Sequence, residues 1–415
     1  MSGQEKGAGP VDLKSYLRVD TVLFSVVLLL AGVGLAVLLS ASYLKAELYE
    51  DTPYYYLNSQ ALRLAIGAGL GFAAFMVPVR FWMWAAPAVG ALTLGLLLLP
   101  FVPGFQYQAM GASRWIQIGG LSVQPSEFAK AGIVVYMAWS LANKGELARG
   151  FWYGFFTHTV VIAVFAGLII LERDLGGALV ACVIMAGMIF ASGLKWRYIA
   201  LYAGLIAAAS WQFVLSYGYR VARIRGWLDP WADPYGAGYV ILHSFYAFAN
   251  GGLFGLGPGE GLEKQFFIPE IHTDYIFAVV GEELGFAGVA LVAGLFLAFA
   301  LRGLFIAKAA PRLPHYYIAI GATLAVAVPA FINMAVALSI VPAKGLALPF
   351  FSHGGSSLVS CLVCTGLLLR VAADGWADQD REGPLPGARD SLPGAQAQAS
   401  FSPPPPSASG PGVRP

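Results

Sequence analysis

Val22 to Leu39 reads VLFSVVLLLAGVGLAVLL, a run of apolar and small residues with a single hydroxyl and no charge. At the rise of an α-helix, about 20 such residues cross the hydrocarbon core of a bilayer. The run begins after a charged stretch and is followed by no convincing cleavage site, so it reads as a retained span and not as a secretion signal. Runs of the same kind recur along the chain: 61–79, 82–102, 128–142, 155–171, 177–192, 198–215, 275–301, 316–340 and 357–371. The expected fold is an all-α polytopic membrane protein of ten spans. Its largest extracytoplasmic loop, about 216–274, falls between spans 7 and 8.

The composition of the 415 residues agrees. Hydrophobic residues make up 58% and charged residues 12%, and the mean hydropathy is +0.68. A soluble domain carries roughly 45–50% apolar and about 25% charged residues. An ordinary soluble globule and a disordered chain are therefore excluded. With a net charge of +2, there is no field to attract polyanions, and nucleic acid is not an expected partner. The cysteines, Cys182, Cys361 and Cys364, all lie in apolar runs. The CxxC formed by the last two has no accompanying ligands and reads as small packing residues.

Ten spans put both termini on one side. With the termini inside, every short inner loop carries Lys or Arg: Arg80, Lys144 with Arg149, Lys195 with Arg197, and Arg302, Lys308 and Arg312. The positive-inside rule then makes both ends cytoplasmic. The organisation is a cytoplasmic segment over 1–21, a membrane unit over 22–371 and a tail over 372–415. That tail, rich in Pro, Ser, Ala and Gly with a run from Pro403 to Pro406, cannot bury enough apolar surface to fold alone.

The polar chemistry collects in the outward loops. In GASRWIQIGGLSVQPSEFAK (111–130), Arg114 stands beside Trp115, a cation next to a ring suited to the interface. Gln124-Pro125-Ser126-Glu127 resembles a helix start. Glu127 and Lys130, three residues apart, share one face, and an ionisable pair just inside a span is a candidate functional site. Glu172-Arg173-Asp174 follows the fifth span. The loop 216–274 opens with Arg220, Arg223 and Arg225, whose forks suit an anionic group. It continues through GGLFGLGPGEG, where glycines allow tight turns and close backbone approach. No strand precedes that stretch and no helix follows it, so it is no dinucleotide loop.

The loop closes with IPEIHTDYIFAVVGEELGFAG (268–288). Asp274 enters an apolar run, which raises a carboxylate's pKa and suits it to act as a general base near neutral pH. His272, with an ordinary pKa near 6.5, is the rival base, and composition does not separate the two. Glu282 and Glu283 read as structural. In PAKGLALPFFSHGGSSL (342–358), Lys344 can hold an anion, and Ser352, His353 and Ser356 form a polar approach to the last span. A Ser–His nucleophile is rejected there, because adjacent residues rarely reach the geometry and no orienting acid is evident.

These stretches, with RIRGWLDPWADPYGAGY (223–239) and GGLFGLGPG (251–259), resemble the successive signatures of the SEDS family, the shape, elongation, division and sporulation proteins that include FtsW and RodA. The resemblance runs from about the first span to Arg370 and leans toward the FtsW branch. It implies a peptidoglycan glycosyltransferase that polymerises lipid II into β-1,4 glycan at the outer face of the bacterial inner membrane and releases undecaprenyl pyrophosphate. The family's essential aspartate falls on Asp274, its RW pair on Arg114 and Trp115, its PSE..K pair on Glu127 and Lys130, and its RI motif on Arg223. Three places depart from the pattern. Glu172-Arg173-Asp174 stands for the usual QPD, Gly238-Tyr239-Val240 with His243-Ser244 for GYQ..QS, and His353 for the tyrosine of SYGGSS.

The implied partners are lipid II and the lipid-linked glycan, a class B penicillin-binding protein that crosslinks the strand, and other division or elongation proteins. A divalent cation, Mg or Mn, on the pyrophosphate is compatible with this chemistry, but no ligand cluster in the sequence demands one. The competing reading is a transporter that flips lipid II. It predicts ionisable residues in the inner halves of the spans, which are almost wholly apolar.

Overall fold

The computed structural model describes residues 18–103, 106–109, 112–118, 121–215, 218–265 and 267–382. The expected segment 1–21 is thus described only from Arg18, and the Pro-rich tail beyond Glu382 lies outside the described residues. The helices follow the apolar runs. They are α1 (Thr21–Tyr49), α2 (Tyr55–Met76), α3 (Val79–Leu98), α4 (Pro125–Lys144), α5 (Thr157–Leu171) and α6 (Leu175–Ala191), then α7 (Trp196–Leu215), α8 (Gly218–Leu228), α9 (Tyr239–Gly251), α10 (Ile276–Lys308), α11 (Leu313–Ala337) and α12 (Gly355–Glu382).

The chain is a multi-pass membrane protein. Among the described residues, seven helical segments are long and apolar enough to cross a bilayer: α1, α2, α3, α5 with the turn of π-helix before it, α10, α11 and α12. Helices α4, α6 and α7 coincide with the other expected runs but are not among these seven. The most apolar stretch of α12 is 89% buried and that of α11 72%, against 28% for α2, α3 and α10. Helices α11 and α12 are therefore the centre of the bundle. Large apolar side chains on the rim, such as Phe72, Trp84 and Leu92, are exposed, as a surface meeting lipid requires.

The two described ends of the chain meet at one end of the bundle. Arg18 lies over the Trp376 ring at 4.8 Å. Asp20 caps α1 through the Leu23 amide (2.9 Å) and pairs with Arg302 of α10 at 2.6 Å. Arg370, wholly buried, pairs with Asp374, which His315 approaches at 3.4 Å.

At the opposite end, the structure adds elements the sequence reading left as loops. Strands β1 (Gln106–Ala109), β2 (Ala112–Ile118) and β3 (Leu121–Val123) form an antiparallel sheet in that order, with Tyr107 facing Trp115 and Ile116 facing Val123. Helices α8 and α9 occupy much of 216–274. The last helix also runs past the expected boundary at 371, to Glu382.

Helix α10 is broken at Gly285, whose φ of 65° and ψ of −162° leave the helical region. In lipid, freed backbone groups must find partners, and the glycine-rich stretch supplies them. Leu256 and Gly257 amides donate to the Glu282 and Glu283 carbonyls (both 3.0 Å), and the Phe286 and Ala287 amides donate to Gly252 and Leu253 (2.9 and 3.0 Å). The Glu282 carboxylate accepts from the amides of Leu262 (2.9 Å) and Glu263 (3.1 Å). Glu283 pairs with Lys264 at 2.5 Å and accepts from Ser40 at 2.6 Å. Both glutamates thus hold the loop to the break.

Candidate active site

Asp274 sits just before α10, on a turn stitched to three other parts of the chain. The Thr273 and Asp274 amides donate to the Glu270 carbonyl (2.9 and 3.2 Å). The Ser352 hydroxyl donates to the Thr273 carbonyl (2.5 Å) while accepting from the Leu348 amide (2.8 Å), and the His353 amide donates to the His272 carbonyl (2.9 Å). From α11, the Asn333 side-chain amide donates to both the Asp274 carbonyl (2.9 Å) and the Leu346 carbonyl (2.6 Å). Gly345 completes the fit, since a Cβ there would stand 3.0 Å from an Asp274 carboxylate oxygen.

The partly buried Asp274 carboxyl is pushed up to about 6, first by burial and then by the nearby Glu270 charge, while Arg223 and Arg114 pull the other way. Two arginines on separate elements, Arg223 of α8 and Arg114 of β2, therefore act on the carboxylate through their charge. Helix α8 is fastened to the end of α11 by the Trp227 ring N–H, which donates to the Ser339 carbonyl at 2.8 Å. Four residues earlier, Arg223 shares that face of the helix.

His272 has different surroundings. It is buried, tilted against the Tyr56 ring at 4.8 Å, and lowered to about 4 by burial and by Lys45, against the pull of Glu270. His353 meets the Tyr56 ring edge-on at 5.0 Å and lies 6.1 Å from the His272 ring, and the Arg63 guanidinium lies 3.1 Å from its Nε2. Burial, Arg63 and neighbouring cations hold His353 down near 3. Both rings are neutral at ordinary pH.

A second polar cluster joins the starts of α4, α6 and α12. Asp174 caps α6 through the Gly177 amide (2.8 Å), and its other oxygen accepts from Gln124 (3.0 Å) and Ser126 (3.1 Å). The Gln124 amide donates to Ser356 at 2.9 Å. Arg114 is the link to the first cluster, because its charge also acts on Asp174 and Glu172. Burial raises the Asp174 carboxyl above the usual range. Glu172, 1% exposed, has neither carboxyl oxygen hydrogen-bonded and rises to about 8, chiefly through burial and then through Asp174.

Of the expected site residues, the structure gathers Asp274, Arg114 and Arg223 into one electrostatic group and Asp174 with Ser356 into the adjoining one. Ser352, His272 and His353 buttress the turn. Trp115 is half-buried in β2. Glu127 and Lys130 pair with each other at 2.5 Å, and Lys130 faces Cys361 and Cys364 of α12, not the Asp274 carboxylate. Lys344 is half-buried beside Gly345, and burial lowers its ammonium. At the places that depart from the family pattern, His243 pairs with Glu263 at 2.6 Å and Ser244 donates to the Ala337 carbonyl at 2.6 Å.

Sequence reasoning passed over Arg63, Gln60, Tyr56, Gln124 and Asn333. Arg63 and Asn333 lie inside apolar runs, and that alone is a signal in a membrane span. Gln60, which donates to the Ser352 carbonyl at 2.9 Å, gives no such signal from its place at the edge of a run. Among the described residues no group of three or more His, Cys, Asp or Glu could hold a metal ion.

Residues 20–375 match the family model for FtsW, RodA and SpoVE, described as cell cycle proteins. The chain belongs to this family. It is 39% identical over 362 residues to the "Probable peptidoglycan glycosyltransferase FtsW" of Geobacter metallireducens, covering 87% of this chain and 96% of that one. A protein of the same description from Pseudomonas fluorescens is 37% identical over 350 residues, covering 83% and 85%. Among solved structures, a peptidoglycan synthase complex that coordinates polymerization and crosslinking aligns with a TM-score of 0.71 at 28% identity, covering 86% of this chain and 99% of the matched one. The rod shape determining protein RodA of Thermus thermophilus aligns with a TM-score of 0.64 at 29% identity, covering 86% and 98%.

Proposed function

We propose that this chain is a peptidoglycan glycosyltransferase that polymerises lipid II at the outer face of the bacterial inner membrane. The observation that carries the reading is a carboxylate, Asp274, faced by Arg223 and Arg114 where the bundle meets its loops. The names of the FtsW relatives and the likeness to a peptidoglycan synthase complex supply the substrate class. The two ends of the described chain meet at the far end of the bundle, which fits ten crossings with both termini in the cytoplasm and Asp274 outside.

In this reading Asp274 takes the proton from the 4-hydroxyl of the acceptor's N-acetylglucosamine. That oxygen attacks the anomeric carbon of a glycan still bound to its lipid pyrophosphate. The bond to the pyrophosphate breaks on the opposite face, so an α-linked donor becomes a β-1,4 linkage without a covalent enzyme intermediate. Arg114 and Arg223 are set where the departing diphosphate gains charge, and preorganised cations at a partly dry site are a large catalytic contribution. Lys344 is a further cation at the same turn. Lys130, turned toward α12, supports the helix and not the leaving group. The strand then passes to the class B penicillin-binding protein that the family resemblance implies as partner.

The test is polymerisation of lipid II by the purified full-length chain in detergent, alone and with its cognate transpeptidase. The wild type forms glycan, and Asp274→Asn falls by roughly 10²–10⁴ in rate. An Asp274→Asn variant as active as wild type removes Asp274 from the chemistry. Translocation in liposomes without glycan synthesis in detergent replaces the enzyme with a flippase.

A further inference from the structure

Beside the turn that carries Asp274 lies an open cavity of about 350 Å³, between the loop end of α1 and Lys264 with residues 268–272. That volume falls within the usual range for small-molecule sites. One wall is apolar, made by Ala41, Ile268 and Ile271, and the rest carries Lys45, Tyr49, Lys264, Glu270 and His272. Among the described residues, none of the sheet or of α8, the elements that carry Arg114 and Arg223, lines it.

The charges inside the cavity are already matched. Lys45 pairs with Glu270 at 2.9 Å, and Lys264 pairs with Glu283 at 2.5 Å and donates to Ser40 at 2.9 Å. A diphosphate entering here would meet the Glu270 carboxylate and would have to strip each lysine of its partner. A neutral ligand with many hydroxyls and amides meets the opposite situation, an acceptor and a donor side by side. The Lys45–Glu270 pair is partly open to solvent, its side chains 33% and 48% exposed, so hydroxyls can reach both ends. Rings and an apolar wall complete a surface suited to the faces of a sugar.

The cavity is also tied to the candidate base. Glu270 holds a left-handed backbone with φ of 50°, a conformation that costs a non-glycine residue and that tends to persist at functional turns. Its carbonyl accepts from the Thr273 and Asp274 amides. Lys45 of α1 therefore clamps the side chain of the same residue whose backbone positions Asp274.

We infer that this cavity seats the acceptor sugar, the N-acetylated amino sugar of lipid II, and delivers its hydroxyl past Glu270 to Asp274, while the lipid diphosphate of the donor lies on the arginine side. This rests on the glycosyltransferase reading above and adds the division of the site into two substrate seats.

Two measurements test it on the full-length protein. The first is the initial rate of polymerisation against lipid II concentration for Lys45→Ala, Tyr49→Ala and the conservative Lys45→Arg. The alanine variants raise KM for lipid II about tenfold, the effect of one hydrogen bond to a charged group, a larger change than any in kcat, and Lys45→Arg restores most of the loss. The second is binding to chains that carry Asp274→Asn, with lipid II and undecaprenyl pyrophosphate as separate probes. Adding Lys45→Ala weakens lipid II and leaves undecaprenyl pyrophosphate unchanged. An unaltered KM, or equal weakening of both probes, overturns the inference, the latter making the cavity a phosphate site. If even the wild type makes no glycan, the glycosyltransferase reading fails, and the binding experiment still decides whether the cavity recognises the sugar.

Discussion

The side-chain amide nitrogen of Asn333 donates at once to the carbonyl of Asp274, at 2.9 Å, and to that of Leu346, at 2.6 Å. Asn333 belongs to the buried helix α11, so the most central part of the bundle fixes where the loop carboxylate stands. An asparagine at this depth is costly unless hydrogen-bonded, and here both amide hydrogens have acceptors on the two loops that meet at Asp274.

Asn333→Leu therefore releases both loops without adding charge. Misplacing a reacting group by about 1 Å can cost on the order of 10²-fold, and lipid II polymerisation by this variant falls by about that factor while the protein remains folded in detergent. Asn333→Asp falls further, since an ionised carboxylate cannot donate to two carbonyls. Wild-type rates for Asn333→Leu would show that the clamp has no bearing on the reaction.

The pH dependence follows from the charges around Asp274. The base works ionised, and its carboxyl is pushed up to about 6. The rate at limiting substrate thus falls about tenfold per unit of pH below that value and levels off above it. Arg223 favours the ionised form, so Arg223→Gln moves the acid limb to higher pH in addition to lowering the plateau. A limb that stays fixed in Arg223→Gln would mean that the guanidinium does not act on Asp274.

Much of this arrangement could be read from the residues in order. Apolar runs located the helices, because a bilayer leaves the backbone few other choices, and the polar residues gathered in the outward loops pointed to Asp274, Arg114 and Arg223. Pairings between distant segments could not be read that way. Glu127 and Lys130 share a face by spacing, but whether that face meets the loops or α12 depends on helix rotation, which hydropathy does not encode. The Asn333 clamp joins positions far apart in the chain. The sheet strands between Gln106 and Val123 are short, and glycine and polar residues obscure their alternation.

The glycine-rich crossing at the break in α10 gives a comparison between two positions. Gly252 and Gly255 both have positive φ, 52° and 82°. A Cβ at Gly252 meets nothing within 4 Å, whereas one at Gly255 would lie 2.0 Å from the Glu283 carbonyl oxygen. Gly252→Ala bears only the conformational penalty of a positive φ with ψ of −137°, roughly 1–3 kcal/mol. Gly255→Ala also forces the loop off the helix and exposes backbone groups that pair at the break. Thermal unfolding in detergent registers a modest drop for the first and a much larger one, with loss of polymerisation, for the second. Equal effects would mean that close approach is not what the glycine at 255 provides.

Glu172 makes stability itself depend on pH. Its carboxyl, buried with neither oxygen bonded, is raised to about 8 from an ordinary value of 4.5. The folded state therefore holds this proton more tightly than the unfolded chain does. The stabilisation is fully present below about 4.5 and is lost as pH rises through about 8. Glu172→Gln keeps the shape and the neutral state at every pH, so its melting temperature declines less steeply than that of the wild type between pH 5 and pH 9, and the two differ most at the alkaline end. Arg114 opposes the shift by attracting the ionised form, so Arg114→Gln steepens the wild-type decline, and in Glu172→Gln the same change no longer alters the slope through Glu172. Parallel melting curves for wild type and Glu172→Gln across this range would mean that the carboxyl ionises freely and that the Arg114 side of the site is wetter than its burial implies.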